Sequence, residues 1–86
     1  METFQHTVSD PEGIHARPAG LLVKCAQSCG SNVTLSTADG RSADAKRLFA
    51  VMGLNVKSGE TVTFTVEGVN EQAGCEKLKE FCRKNF

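Results

Sequence analysis

The segment 32–45, NVTLSTADGRSADA, indicates a β-hairpin and through it an antiparallel sheet. Asn32–Thr37 alternates apolar and polar residues, which is typical of a strand with one buried face. Ala38-Asp39-Gly40 is a turn sequence, and Arg41–Ala45 then returns as a second strand. We expect the apolar residues of these two strands to share one face of the sheet, because successive side chains point to opposite sides.

Two more strands are expected outside this hairpin, one towards each end of the chain. In Phe4–Val8 the residues Phe4, His6 and Val8 share one side, before Ser9–Gly13 breaks the alternation. In Thr61–Val66 the apolar residues point one way and the threonines point the other way. Half-apolar strands of this kind need cover on one face only.

Two segments with helical spacing provide that cover. From Pro18 onward apolar residues recur at helical intervals until Gly30, the expected C-cap, and a last helix follows Asn70, its expected cap, with Glu71 in the first turn. The expected buried stripes consist of Leu21, Leu22, Cys25, Ala26 and Cys29 in the first helix and of Cys75, Leu78, Phe81 and Cys82 in the last. Strands covered by helices on one side predict a two-layer α+β fold.

Length and composition limit the class of protein. Eighty-six residues predict a single domain, 1–86, with 40% hydrophobic residues available for one core. Ten basic and ten acidic residues cancel, and the only aromatic residues are five phenylalanines, which argues against a nucleic-acid binder. No apolar run of about 18 residues could cross a membrane, and the N-terminus lacks the pattern of a signal peptide, so we expect a cytoplasmic protein.

The residues Gly13-Ile14-His15-Ala16-Arg17-Pro18-Ala19 contain the parts of a phosphorylatable histidine. His15 supplies a nucleophilic imidazole, and Arg17 supplies a guanidinium that can hold phosphate oxygens. The backbone amides of Ala16 and Arg17 can donate to the same oxygens, because the first N–H groups of a helix have no partner within it. Pro18 marks the expected helix start, since its missing N–H is harmless there.

This motif resembles the active centre of HPr, the histidine-containing phosphocarrier of the bacterial phosphoenolpyruvate-dependent sugar phosphotransferase system. The segment Lys46–Leu54, KRLFAVMGL, resembles the second signature of the same family, and the resemblance extends over essentially all 86 residues. It implies an open-faced sandwich in the order β-α-β-β-α-β-α, with a four-stranded antiparallel sheet covered on one face by three helices. The second of these is a short helix in Leu48–Leu54, followed by a turn around Lys57-Ser58-Gly59.

The resemblance also implies a role. The chain would be a phosphocarrier rather than an enzyme, accepting a phosphoryl group from enzyme I on the Nδ1 atom of His15 and passing it to sugar-specific enzyme IIA domains. Neither a cofactor nor a metal is expected. A monomer is expected as well, because a transient carrier must keep its active surface open to successive partners.

A docking surface is a further implication of the resemblance. Phe49 and Met52, and less clearly Leu48, would form an exposed apolar patch beside the active-centre helix. The alternative is that all three side chains are buried in the core. The basic residues expected around the patch are Arg17, Lys24, Lys46 and Arg47. Such basic residues would favour acidic partner surfaces and mainly tune the rate of encounter.

One position departs from the family pattern. Arg47 stands where many HPr proteins of low-GC Gram-positive bacteria have a regulatory serine, so the hydroxyl acceptor is missing. We therefore predict that an HPr kinase does not modify this segment. Two other classes of function stay open: a regulatory interaction protein of the nitrogen-related phosphotransferase branch, with transcriptional regulators among its partners, and a small ligand-binding module, which is less favoured.

The cysteines and His6 are interpreted as structural. Cys25 and Cys29, and likewise Cys75 and Cys82, fall on apolar stripes without metal-ligand spacing, so they are expected to act as small hydrophobic residues. Two thiols on facing helices would remain open to oxidation in air. His6 lies in the middle of a strand without a charged neighbour at useful spacing.

Overall fold

Four antiparallel strands and three helices follow one another in the order that the sequence and its resemblance predict. The computed structural model describes residues 1–86. Its elements are β1 (Glu2–Thr7), α1 (Ala16–Gln27), β2 (Ser31–Thr37), β3 (Ser42–Asp44), α2 (Leu48–Gly53), β4 (Thr61–Gly68) and α3 (Glu71–Asn85). The strands form one sheet in the order β1-β4-β2-β3, and every neighbouring pair is antiparallel. The α+β open-faced sandwich is therefore confirmed.

The inner face of the sheet carries the core. In β4 the side chains of Val62, Phe64 and Val66 are buried, and the threonines between them are only half-buried, as their alternation predicts. Phe64 stacks on Phe4 of β1 with ring centroids 4.8 Å apart. In the hairpin Leu35 of β2 pairs with Ala43 of β3, so the apolar residues of the two strands share one face, as expected. Twenty buried hydrophobic residues form one continuous cluster between the sheet and the helices.

Helix α1 begins at Ala16, two residues before the start predicted at Pro18. Its first backbone hydrogen bond runs from the amide of Ala19 to the carbonyl of His15, at 2.9 Å. Pro18 thus lies within the first turn, where no backbone N–H is needed, and its steric effect on Arg17 is too weak to keep that residue out of the helix. The helix ends at Gln27, so the C-cap expected at Gly30 is wrong.

The buried faces of the helices differ from the predicted stripes at a few positions. Leu21 is 46% exposed, and Cys25 is only half-buried. Val23 is buried although the predicted stripe did not include it. On α3, Phe81 is half-buried and packs edge-on against Phe86, with ring centroids 5.9 Å apart. The remaining stripe residues are buried as predicted: Leu22, Ala26, Cys29, Cys75, Leu78 and Cys82.

The N-terminus of α3 is held by a carboxylate rather than by its expected cap. Asn70 has a left-handed backbone (φ 59°), and its side chain makes no capping hydrogen bond. Glu71 accepts instead from the amide of Gly68 at 3.1 Å and from the ammonium of Met1 at 2.8 Å. The hydrogen bond from the ammonium, and after it the hydrogen bond from Gly68, lowers the pKa of Glu71. None of the three helices is long and apolar enough to cross a membrane.

The four cysteines are all free thiols. Cys29, Cys75 and Cys82 are buried in the core, so the structural interpretation holds for three of them. No group of three or more histidine, cysteine or acidic side chains is placed to hold a metal ion.

Candidate functional site

His15 lies at the junction between a loop and the N-terminus of α1. Its backbone is extended (φ −109°, ψ 177°), so it occupies the N-cap position while its carbonyl accepts the first hydrogen bond of the helix. The side chain keeps 35% of its surface exposed. The imidazole is therefore fixed at its backbone and still open to an incoming molecule.

A close approach between two loops shapes the site. Gly13 has a left-handed backbone (φ 68°), and a Cβ atom at this position would lie 2.3 Å from the carbonyl oxygen of Val56. Next to it, the amide of Ile14 donates to that same oxygen at 3.0 Å. Only glycine fits here, because any other residue would collide with the backbone and adopt an unfavourable conformation.

A cleft of about 570 Å³ opens beside the imidazole. One wall is the loop that precedes α1, including Glu12, and the other is the segment after α2, including Asn55 and Lys57. Met52 lines it as well. The ammonium of Lys57 forms neither an ion pair nor a hydrogen bond, so this wall contributes an unpaired positive charge that sequence reasoning did not assign to the site.

Two carboxylates face the ring nitrogens. The Nε2 atom of His15 lies 3.6 Å from Oδ2 of Asp10, and its Nδ1 atom lies 3.4 Å from Oε2 of Glu12. Asp10 also accepts a 2.9 Å hydrogen bond from the amide of Glu12 through its other oxygen, which shapes the loop. Sequence reasoning missed both carboxylates, although their positions in the loop just before the motif were a signal.

Arg17 is exposed and forms neither a hydrogen bond nor an ion pair. Its guanidinium is therefore free to meet a ligand. The backbone amides of Ala16 and Arg17 also have no acceptor, because the first bond of α1 is donated by Ala19. These free donors and the positive end of α1 lie directly beside His15.

An apolar patch, consisting of Leu48, Phe49 and Met52, adjoins the cleft through Met52. The exposed fractions of these side chains are 36%, 86% and 38%, so the prediction of exposure for Phe49 and Met52 is confirmed and the alternative of burial is wrong. Val51 provides the buried contact of α2 instead. The apolar patch therefore lies on the exposed side of α2, and Val51 anchors this helix in the core.

The basic residues expected around the patch are not equivalent. Lys24 and Arg47 are exposed and unpaired, and Arg47 lies at the N-cap position of α2 without a capping side-chain bond. Lys46, by contrast, is half-buried and donates to the carbonyl of Cys29 at 3.1 Å. Lys46 therefore ties the turn after α1 to the segment before α2, and Lys24 and Arg47 keep free charges.

A second network holds the far wall of the cleft. Arg41, next to the hairpin turn, donates to the carbonyl of Leu54 and to the carboxylate of Glu60. The other carboxylate oxygen of Glu60 accepts from the amide of Lys57 at 2.6 Å. Arg41 also pairs with Asp39 at 2.9 Å. The hydroxyl of Thr37, and after it Arg41, lowers the pKa of Asp39 to about 2. The wall is thereby tied to the sheet.

Comparisons with known proteins point to one family. Residues 2–84 match the family model described as the PTS HPr component phosphorylation site. The chain is 44% identical to phosphocarrier protein HPr of Lysinibacillus sphaericus over 78 residues, which are 91% of this chain and 88% of that protein. It is 31% identical to phosphocarrier protein HPr of Mycoplasma genitalium over 85 residues, 99% of this chain and 97% of that one. Among solved structures, HPr-C-His of Thermoanaerobacter tengcongensis superposes with a TM-score of 0.92, at 28% identity, covering all of this chain and 96% of that chain.

Proposed function

The chain belongs to the HPr family of phosphotransferase-system phosphocarriers, and from this premise we propose that His15 is the residue that carries the phosphoryl group. The observation that supports this most is a half-exposed imidazole at the N-cap of α1, beside two backbone amides without acceptors. His6, the other histidine, has its Nε2 atom buried without a partner in the sheet. His6 is therefore poorly placed to react.

The proposed step is transfer of the group to Nδ1 of His15. The lone pair of Nδ1 forms the bond to phosphorus while the bond between phosphorus and the donor enzyme breaks, and the donor atom keeps that electron pair. Such transfer depends mainly on positioning and on stabilisation of charge. His15 contributes the nucleophile, and its fixed backbone limits the positions that the ring can take.

The phosphoryl oxygens would be stabilised by donor groups that have no hydrogen-bond acceptor in the structure. The amides of Ala16 and Arg17 point from the positive end of α1, and the guanidinium of Arg17 can fold towards the same oxygens. Pro18 has no N–H of its own and keeps the first turn in shape. The carrier therefore needs no metal to balance the charge of the group.

The family implies partners within the phosphotransferase system, and enzyme I and enzyme IIA domains are the proposed donor and acceptor. The apolar patch is the proposed docking surface, with Lys24 and Arg47 at its edge. Phe49 is the leading contact, because a large apolar side chain this exposed stabilises nothing within the fold. Arg47 has no hydroxyl to accept a phosphoryl group from a serine kinase, so we propose that the chain lacks regulation by serine phosphorylation at this position.

The organisation of the chain fits this role. We propose that residues 1–86 act as one domain, since all buried hydrophobic residues form one cluster. The monomeric state and the cytoplasmic location stay predictions.

A relay experiment tests the proposed function. Purified enzyme I and labelled phosphoenolpyruvate should place an acid-labile, base-stable label on the wild-type chain, and an added enzyme IIA should remove it. His15→Ala should accept no label, with a circular dichroism spectrum like that of the wild type. A wild-type chain that stays unlabelled, or a label that enzyme IIA cannot remove, would contradict the proposal.

A further inference from the structure

The carboxylate of Glu12 is the acidic group that approaches Nδ1 of His15. Its Oε2 atom is 3.4 Å from Nδ1, the ring atom proposed to react, and its side chain is 72% exposed. A phosphoryl group on Nδ1 and a carboxylate this close to the same nitrogen compete for the space beside it. We infer that Glu12 turns away when His15 is phosphorylated, which its exposed side chain at the edge of the cleft permits.

Turning away does not remove the charge of Glu12 from the site. Its backbone stays in place because its amide donates to Asp10 at 2.9 Å and because Gly13, the next residue, packs against Val56. The negative phosphoryl oxygens and the displaced carboxylate thus remain near neighbours. At about 4 Å in water, a pair of unit charges changes an equilibrium about fivefold.

We propose that Glu12 is a displaceable occupant of the phosphoryl position that destabilises phosphorylated His15 and so increases its tendency to pass the group on. The proposal rests on the proposed function and deepens it. The bound group displaces the carboxylate of Glu12 from its position beside Nδ1, and the negative charge of Glu12 then repels the phosphoryl oxygens.

Asp10 provides the contrast. Its Oδ2 atom lies 3.6 Å from Nε2, the nitrogen that does not receive the group. A ring phosphorylated on Nδ1 keeps its proton on Nε2 and bears positive charge there, which the carboxylate of Asp10 attracts. Asp10 and Glu12 carry the same charge, but they face opposite ends of the ring and have opposite effects on the phosphorylated state.

The experiment measures how the phosphoryl group distributes at equilibrium between phosphoenolpyruvate and the carrier chain, with enzyme I as the catalyst. A catalytic amount of enzyme I is equilibrated with the carrier and with phosphoenolpyruvate and excess pyruvate at a ratio that leaves the wild type partly phosphorylated. Phosphorylated carrier is then counted by intact-mass measurement. Glu12→Gln should raise the equilibrium constant for phosphorylation by about threefold to tenfold, and the difference should shrink at high salt.

Asp10→Asn is the matched control, because it removes one negative charge next to the same ring. Its equilibrium constant should equal that of the wild type or be lower, and Glu12→Asp, which keeps the charge, should stay closer to the wild type than Glu12→Gln. An unchanged or lower constant for Glu12→Gln would overturn the proposal, as would an equal rise in Asp10→Asn. A wild-type chain that accepts no phosphoryl group at all would instead overturn the proposed function.

Discussion

Alanine at position 13 would meet two obstacles at the loop that positions His15. The left-handed backbone of Gly13 (φ 68°) is unfavourable for any residue with a Cβ atom. The added Cβ would also lie 2.3 Å from the carbonyl oxygen of Val56 and 2.8 Å from Cα of Lys57, both of them backbone atoms that cannot rotate aside. The two loops must therefore separate.

The cost of Gly13→Ala follows from these two terms. The left-handed conformation costs roughly 1–2 kcal/mol for an L-residue. Separation of the loops breaks the hydrogen bond from Ile14 to Val56, which contributes about 1 kcal/mol. The free energy of unfolding should fall by about 2–3 kcal/mol in total, which for a domain of this size lowers the melting temperature by about 10–20 °C.

Gly40→Ala is the matched control for this prediction. Gly40 also has a positive φ, 96°, but nothing lies within 4 Å of the Cβ atom that it would gain. It should carry only the conformational cost of about 1–2 kcal/mol. Urea and thermal denaturation of both variants measure the difference, and the effect of alanine on the unfolded chain cancels between them. A Gly13→Ala variant no less stable than Gly40→Ala would refute the close approach of the two loops.

Three further predictions concern the docking patch, a buried thiol and the regulatory position. Phe49→Ala should change the free energy of unfolding by less than about 0.5 kcal/mol and should slow phosphoryl transfer from enzyme I. Val51→Ala, in the buried face of the same helix, should lower the free energy of unfolding by about 1 kcal/mol or more. Denaturation and transfer kinetics that rank the two variants the other way would count against the patch. Burial raises the pKa of Cys82 from its ordinary value of 9.0 to about 12, so the unfolded chain releases this proton first, and the stability contributed below pH 9 should be lost as the pH rises towards 12. Urea denaturation across that range should show a smaller decline for Cys82→Ala, and equal slopes would contradict the assignment. An HPr kinase with ATP should leave the wild type unmodified at Arg47, and Arg47→Ser is the control. One phosphoryl group on this segment of the wild type, detected by mass spectrometry, would disprove the prediction.

Local patterns in the sequence account for most of the fold. The alternation around Phe64 in β4 and the turn at Gly40 depend only on neighbouring residues, and both are found as predicted. The start of α1 was misplaced because the rule for Pro18 describes a preference, and the whole first turn of a helix tolerates a missing N–H. The predicted burial of Leu21 is wrong because helical spacing alone does not define the edge of a buried stripe.

The candidate site was only partly predictable. His15 and Arg17 stand out by residue type and spacing, so the motif could be read without a structure. The contacts of Glu12 with the imidazole could not, because they depend on the path of a loop that is set by the packing of Gly13 against Val56, a residue far along the chain. Contacts between distant segments leave no periodic pattern in the sequence.

The most direct test of the account is to locate the phosphoryl group on the intact protein. The chain has two histidines, so His15→Ala and His6→Ala form a natural pair. After incubation with enzyme I and phosphoenolpyruvate, intact-mass measurement should show one acid-labile phosphoryl group on the wild type and on His6→Ala, and none on His15→Ala. A phosphoryl group retained by His15→Ala, or lost from a folded His6→Ala, would contradict the central claim that His15 is the carrier.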